Sequence, residues 1–267
     1  MPNIAIENLN HNQVEIKGGG QVIVLDTGSI IDPEAAAMLQ ALHSRSIGGL
    51  KSHLKILSEK GPENFMKNFY VGYGHKSIGD CGTVSLFIEG VSMLVAKAIQ
   101  DWALYSGQES STRYIDFQIQ PFKNPSQTKE GENILESYRE FYIQALEQTK
   151  EHLKKQFPIN MGESENIYHK AINARAFDIL RGFLPAGSTT NLAWHTNLRQ
   201  AADKIALIRH HPLLEVRNTA EAIEKALQIS FPNSFGHQRY EKTEDYNGSW
   251  MNPVSYTHLT LPTTPYV

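Results

Sequence analysis

The stretch that most limits how this chain can fold is one that cannot be buried. Ser106-Gly107-Gln108-Glu109-Ser110-Ser111-Thr112-Arg113-Tyr114 carries aliphatic hydroxyls at 106, 110, 111 and 112 beside a carboxylate, an amide, a guanidinium and a phenol, with almost nothing apolar to pack. Such a run must stay against solvent or a ligand, because buried polar groups without partners are costly. Its neighbours therefore have to supply the scaffold. Thr83 to Glu89 alternates Val84, Leu86 and Ile88 against Ser85 and Glu89, the period of a strand with one buried face. Gly90 ends that strand, Ser92 suits a helix N-cap, and Leu94, Ala98 and Trp102 share one face of the helix that follows. The reading is strand, helix, polar loop, with Trp102 in the core rather than stacked on a ligand.

The chemistry of the run suits a phosphorylated, hydrogen-bonding ligand. A planar guanidinium matches phosphate oxygens bidentately and hydroxyls complete the shell, so Arg113 with Ser111 forms the phosphate end. Glu109 and Gln108 then face donors on a base, a ribose or a cofactor ring. The same nine residues also suit a plain polar turn stabilised by local side-chain to backbone bonds.

Composition narrows the remaining choices. With 267 residues, 40% of them apolar and 20% charged, the chain has the make-up of an ordinary globular protein able to bury a full core. A formal charge of −3 gives no reason to expect nucleic acid or an anionic membrane as partner. One cysteine, Cys81, excludes an internal disulfide framework and a cysteine-based zinc site, and it reads as a small buried residue rather than a nucleophile. Neither an export signal nor a membrane-spanning run is present, so the chain is expected to be soluble and cytoplasmic.

Taken in order, residues 1–20 read as a polar extension ending in the Gly18-Gly19-Gly20 turn, and Gln21 to Asp26 as a buried strand. Asp32-Pro33 opens a helix, Leu50 to Ser58 forms a second and Pro62-Glu63 begins a third. Gly72 to Asp80 is a glycine-punctuated loop. Its His75 and Asp80, five apart with no third ligand, make a poor metal site, and no metal is expected. Asn133 to Gln156 is a helix with Ile134, Tyr138, Phe141, Tyr142, Ala145, Leu146 and Leu153 at helical spacing. Further helices are expected after Ser164, after Asn197 and from Leu213 to Ser230, with a short strand at Thr189 to Thr196. His237 to Val267 is expected to be an irregular tail. Residues 253–267 are similar to the translated adaptor sequence that ends some assembled reading frames, so they are not expected to belong to the fold.

The polar run resembles the signature of the flavin-dependent thymidylate synthases, R-H-R-x-x-S-x-N-E-x-S-x-R-Y. Ser106, Glu109, Ser111, Arg113 and Tyr114 match its second half, with Gln108 in place of Asn, while Asp101-Trp102-Ala103 stands where the family has R-H-R. His75, Ser77 and Asp80 resemble the family's H-x-[ST]-x-x-E element, with Asp for Glu. Ala174-Arg175, Arg181 before Leu184-Pro185, Thr189, Asn197-Leu198-Arg199, Arg209 and Glu215-Val216-Arg217 follow the order of the family's second ligand set. The likeness covers about residues 22–235.

The resemblance implies an α+β fold with a mixed central β-sheet packed with helices, like that of the thymidylate synthase complementing proteins, formed by residues 21–236 as one domain. It implies a homotetramer with active sites between subunits, and methylation of dUMP to dTMP with FAD, NADPH and methylenetetrahydrofolate. The flavin carries the one-carbon unit, so no protein nucleophile is implied. On that resemblance His75, Ser77, Asp80, Gln108, Glu109, Asn197 and Arg199 would touch FAD, while Glu109, Ser111, Arg113, Arg181 and Arg209 would hold dUMP. The missing R-H-R leaves three outcomes open: a divergent active synthase, a non-catalytic flavin or nucleotide binder, and one half of a tandem protein whose second copy supplies the arginines.

Overall fold

A computed structural model of the chain describes residues 11–25, 32–45, 50–72, 74–110, 112, 116–236 and 238–259. The chain forms two compact units, each assembled from separate stretches. Met1–Gly90, Lys97–Gln108 and Leu192–Val267 make the first, and Val91–Ala96 with Glu109–Asn191 make the second.

The α+β expectation holds. Strands β1 (His11–Glu15), β2 (Gln21–Leu25), β3 (Thr83–Ser92), β4 (Ser106–Glu109) and β5 (Thr189–Asn197) form a five-stranded sheet in the order β1-β2-β3-β5-β4. β1 pairs antiparallel with β2, Val14 opposite Val22, and β2 pairs antiparallel with β3, Val22 opposite Ile88 and Val24 opposite Leu86. This register stacks the buried side chains Val14, Val22, Val24, Val84, Leu86 and Ile88 on one face, as the period of two requires. On β5 the same alternation buries Leu192, Trp194 and Thr196.

Two departures from the sequence reading concern polar strands. Residues 11–15 are not a bare extension. They pair with β2 through a turn in which Gly18, Gly19 and Gly20 take φ of 98°, 94° and 100°, a region glycine alone enters freely. Likewise Ser106 to Glu109 is a strand rather than a loop, because backbone pairing at a sheet edge needs no apolar side chains.

In the first unit, helix α1 (Pro33–Arg45) is capped by Asp32, whose Oδ1 accepts from the amides of Glu34 at 2.9 Å and Ala35 at 3.0 Å. Helix α2 spans Leu50–Lys60, and the short α3 (Glu63–Phe65) runs into a π-helical segment, Met66–Gly72. Helix α4 (Met93–Gln100), divided between the units at Ala96, begins behind Ser92, whose Oγ accepts from the Val95 amide at 3.2 Å as a cap should. Helix α8 (Leu214–Ser230) lies on β1 and β2, burying Val216, Ala220, Ile223 and Leu227.

The second unit is built on α5 (Lys129–Gln156) and α6 (Glu165–Leu180). Thr128 caps α5 by accepting from the Gly131 amide, so the helix starts before Asn133. Phe117, Tyr142, Phe177 and Leu180 form its core. Ile134, Tyr138 and Phe141, grouped by periodicity with the core face, are instead exposed. Periodicity finds an apolar stripe but does not say what covers it.

Residues 237–267 are not irregular throughout. Helix α9 (Glu241–Leu259) forms there and contacts α7 (Leu198–Ile208). Among the described residues, no helix is long and apolar enough to cross a membrane.

Candidate functional site

The loop expected at Gly72–Asp80 ends in a 3-10 turn, Lys76–Cys81, whose Ile78 and Gly79 are buried while His75 and Ser77 are exposed. The turn is fastened to α7. The Leu198 amide donates to the Gly82 carbonyl at 3.0 Å, and the Asn197 side chain accepts from the Gln200 amide at 2.8 Å, capping the helix. These bonds bring Arg199 beside Asp80. Arg199 Nε donates to Oδ1 and Nη2 lies against Oδ2, each at 2.7 Å, a bidentate pair joining residues 119 apart in sequence. Lys76 pairs with Asp203 at 3.1 Å on the next turn of α7. Among the described residues, no group of three His, Cys, Asp or Glu side chains converges as a metal ligand set.

A cleft of about 170 Å³ opens alongside, lined by Tyr70, Lys76, Arg199, Asp203, Arg209 and Glu244 among others. Burial pushes the Tyr70 phenol well above its ordinary range, with the nearby Asp203 and Asp80 adding to the effect, so it enters the cleft wall as a neutral donor. Arg209, at the C-cap of α7, is only 14% exposed and pairs with Glu224 at 3.7 Å and with Glu244. Glu244 also meets His210 Nε2 at 3.0 Å.

Beside the same helix lies the turn Asp101-Trp102-Ala103. Trp102 Nε1 donates to Gln200 Oε1 at 2.8 Å, and Lys204 Nζ donates to the Asp101 carbonyl at 2.8 Å, 5.4 Å from the Trp102 ring. Lys204 is 5% exposed, and burial pushes its ammonium down to about 8, against the opposing pull of Asp101. Sequence reasoning missed this cation. The signal was present, because Ala201, Lys204, Ile205 and Ile208 share the buried face of α7.

β4 presents Gln108 exposed at the sheet edge. The strand sits so close to β5 that a Cβ on Gly107 would collide with the Ala193 carbonyl oxygen, which also accepts from the Tyr105 hydroxyl at 2.9 Å. In the second unit, Glu109 is exposed and the Ser110 amide donates to the Asn191 carbonyl at 2.9 Å. Arg181, also there, caps the end of α6 with its side chain 60% exposed, 3.7 Å from Asp178. Ser111, Arg113 and Tyr114 lie outside the described residues. Thus Asp80, Asn197 and Arg199 meet at the start of α7, with His75 and Ser77 on the turn docked there, while Arg209 stands at the opposite end of the helix. Arg175 instead lies over the Phe157 ring at 4.3 Å, and Arg217 donates to the carbonyls of His211 and Pro212.

A sequence model of the thymidylate synthase complementing proteins matches residues 31–233, most of the chain. The chain belongs to the thymidylate synthase complementing protein family. Relatives are more distant. A UPF0159 protein of Chlamydia muridarum is 27% identical over 201 residues, covering 69% of this chain and 38% of the relative. One from Chlamydia pneumoniae is 26% identical over 170 residues, covering 59% and 32%, and one from Thermoplasma acidophilum is 22% identical over 208 residues, covering 66% and 42%. The chain therefore spans well under half the length of the curated relatives it matches. The chain carries Asp101-Trp102-Ala103 at the R-H-R position of the signature that its polar run resembles. Among the described residues, Lys204 of α7 reaches that turn and is directed at a backbone carbonyl.

Proposed function

We propose that this chain binds FAD and dUMP as a flavin-dependent thymidylate synthase-like protein, methylating dUMP to dTMP with methylenetetrahydrofolate and NADPH. The observation that carries the reading is the Asp80–Arg199 pair. It joins two polar motifs, 75–80 and 197–199, as a shared site would require.

The donor set fits a flavin nucleotide. His75 and Ser77 are exposed on the turn whose Asp80 holds the Arg199 guanidinium, offering an imidazole, a hydroxyl and a cation to phosphate and ribityl oxygens. When bound, FAD supplies the hydride and one-carbon chemistry, and the protein supplies position and charge. Asp80 orients Arg199. Glu109 and Gln108 accept from and donate to ring atoms, and Arg181, Arg209, Ser111 and Arg113 hold the nucleotide. Cys81 has no part as nucleophile, since burial and the adjacent Asp80 push its thiol up and keep it protonated.

A second reading is favoured by the relatives' length. The matched stretch is 38%, 32% and 42% of them, so each has room for a second copy of this domain. In that reading the chain binds its ligands but takes the R-H-R arginines from a partner copy. Tritium release from C5-labelled dUMP, with NADPH, FAD and methylenetetrahydrofolate, separates the two. Release by this chain alone is the expected result for a complete synthase. Release only by the longer gene product supports the tandem reading, and release by neither overturns the proposed reaction.

A further inference from the structure

Arg209, a substrate ligand on the reading above, is already spoken for inside the protein. Its guanidinium lies between Glu224 and Glu244, its side chain only 14% exposed, and its Nε is buried with no hydrogen-bond partner. Glu224 has a second cation, Arg239, at 2.5 Å, whereas Glu244 comes from α9 and takes Arg209 together with His210. Burial raises the Glu244 carboxyl, but Arg209 and His210 outweigh this and hold it below the usual carboxylate range.

Little apolar surface among the described residues holds the first turns of α9 in place. Tyr246 and Trp250 are 66% and 45% exposed, Met251 alone among its described apolar side chains is buried, and Asn247 reaches the Ala206 carbonyl at 3.4 Å. Among its described residues, the Glu244 carboxylate, the Asn247 amide and the buried Met251 tie the helix down. That carboxylate sits on the wall of the cleft that also holds Arg199 and Lys76.

We propose that Glu244 is an internal competitor for anionic ligands: the first turns of α9 are a strap that closes Arg209 and is displaced when a phosphate takes the guanidinium. The inference rests on Arg209 being a nucleotide ligand. A carboxylate and a phosphate make the same forked contact with a guanidinium, so one replaces the other without rebuilding the site. Arg239 remains to balance Glu224 after the exchange. Because Glu244 is tethered, it competes at a high effective concentration, and the measured affinity for the ligand falls by the fraction of time the strap is open.

The test compares the wild-type chain with Glu244→Gln and Arg209→Ala, using dUMP and inorganic pyrophosphate as probes. Binding is read by calorimetry and strap opening by hydrogen exchange of residues 241–252. Glu244→Gln is expected to tighten dUMP about tenfold. It should also speed exchange in 241–252 without ligand, as dUMP does in the wild type, and Arg209→Ala should abolish the response to dUMP. If dUMP does not bind but pyrophosphate still speeds exchange in the wild type and binds more tightly to Glu244→Gln, the strap stands and the dUMP reading falls. If dUMP binds equally to wild type and Glu244→Gln with exchange in 241–252 unchanged, the strap is overturned and the dUMP reading stands. Unchanged exchange with both probes overturns the strap as well.

Discussion

Replacing Arg199 by alanine is expected to weaken FAD binding about a hundredfold, the loss of roughly 3 kcal/mol from a fixed, charged donor pair. Stability should barely change. Arg199 and Asp80 are 35% and 30% exposed, so water screens their pair, and removing it costs at most about 1 kcal/mol of folding free energy. This split is what distinguishes a ligand from a staple. A guanidinium that only joined the 3-10 turn to α7 would leave FAD affinity where it was. Titration of FAD into the two proteins, beside their urea unfolding midpoints, decides between these roles. Equal FAD affinities would remove Arg199 from the binding site.

The second large effect belongs to Lys204. Its ammonium is buried under the Asp101 turn and pushed down from an ordinary 10.5 to about 8. The unfolded chain therefore holds a proton that the folded chain has lost between about pH 8 and 10.5, and linkage makes stability rise with pH across that window. The full rise from this group is roughly 3 kcal/mol. Below pH 8 the folded protein carries the cost of a buried charge, offset in part by the bond to the Asp101 carbonyl and by the Trp102 face. Lys204→Met removes the titration. Urea midpoints measured from pH 7.5 to 10.5 should climb more steeply for the wild type than for the variant; parallel profiles would show that the ammonium is not depressed.

Much of the scaffold was legible in the sequence, for reasons that differ by element. β2, β3 and β5 have a buried face, and alternating or continuous apolar residues declare such strands directly. Asp32 and Ser92 announce their helices because a cap is a local interaction. β1 and β4 were missed for the opposite reason. His11-Asn12-Gln13-Val14-Glu15 and Ser106-Gly107-Gln108-Glu109 are held by backbone pairing, which leaves almost no mark on side-chain pattern. The exposed Ile134, Tyr138 and Phe141 show that helical period is local information while cover is tertiary.

The site divides in the same way. Asp80 and Arg199 could be picked out by their motifs, but not that they meet, since the pairing depends on how the 3-10 turn docks at the start of α7. Lys204 and Glu244 carry no motif. Their roles come from burial on a helix face and from a helix, α9, whose polar sequence reads as a tail.

Flavin binding by this chain is read directly from absorbance. After incubation with FAD and desalting, the wild-type protein is expected to keep the yellow flavin spectrum, with a Kd in the micromolar range or below on titration. A colourless protein that shows no saturable change in the flavin spectrum would contradict it.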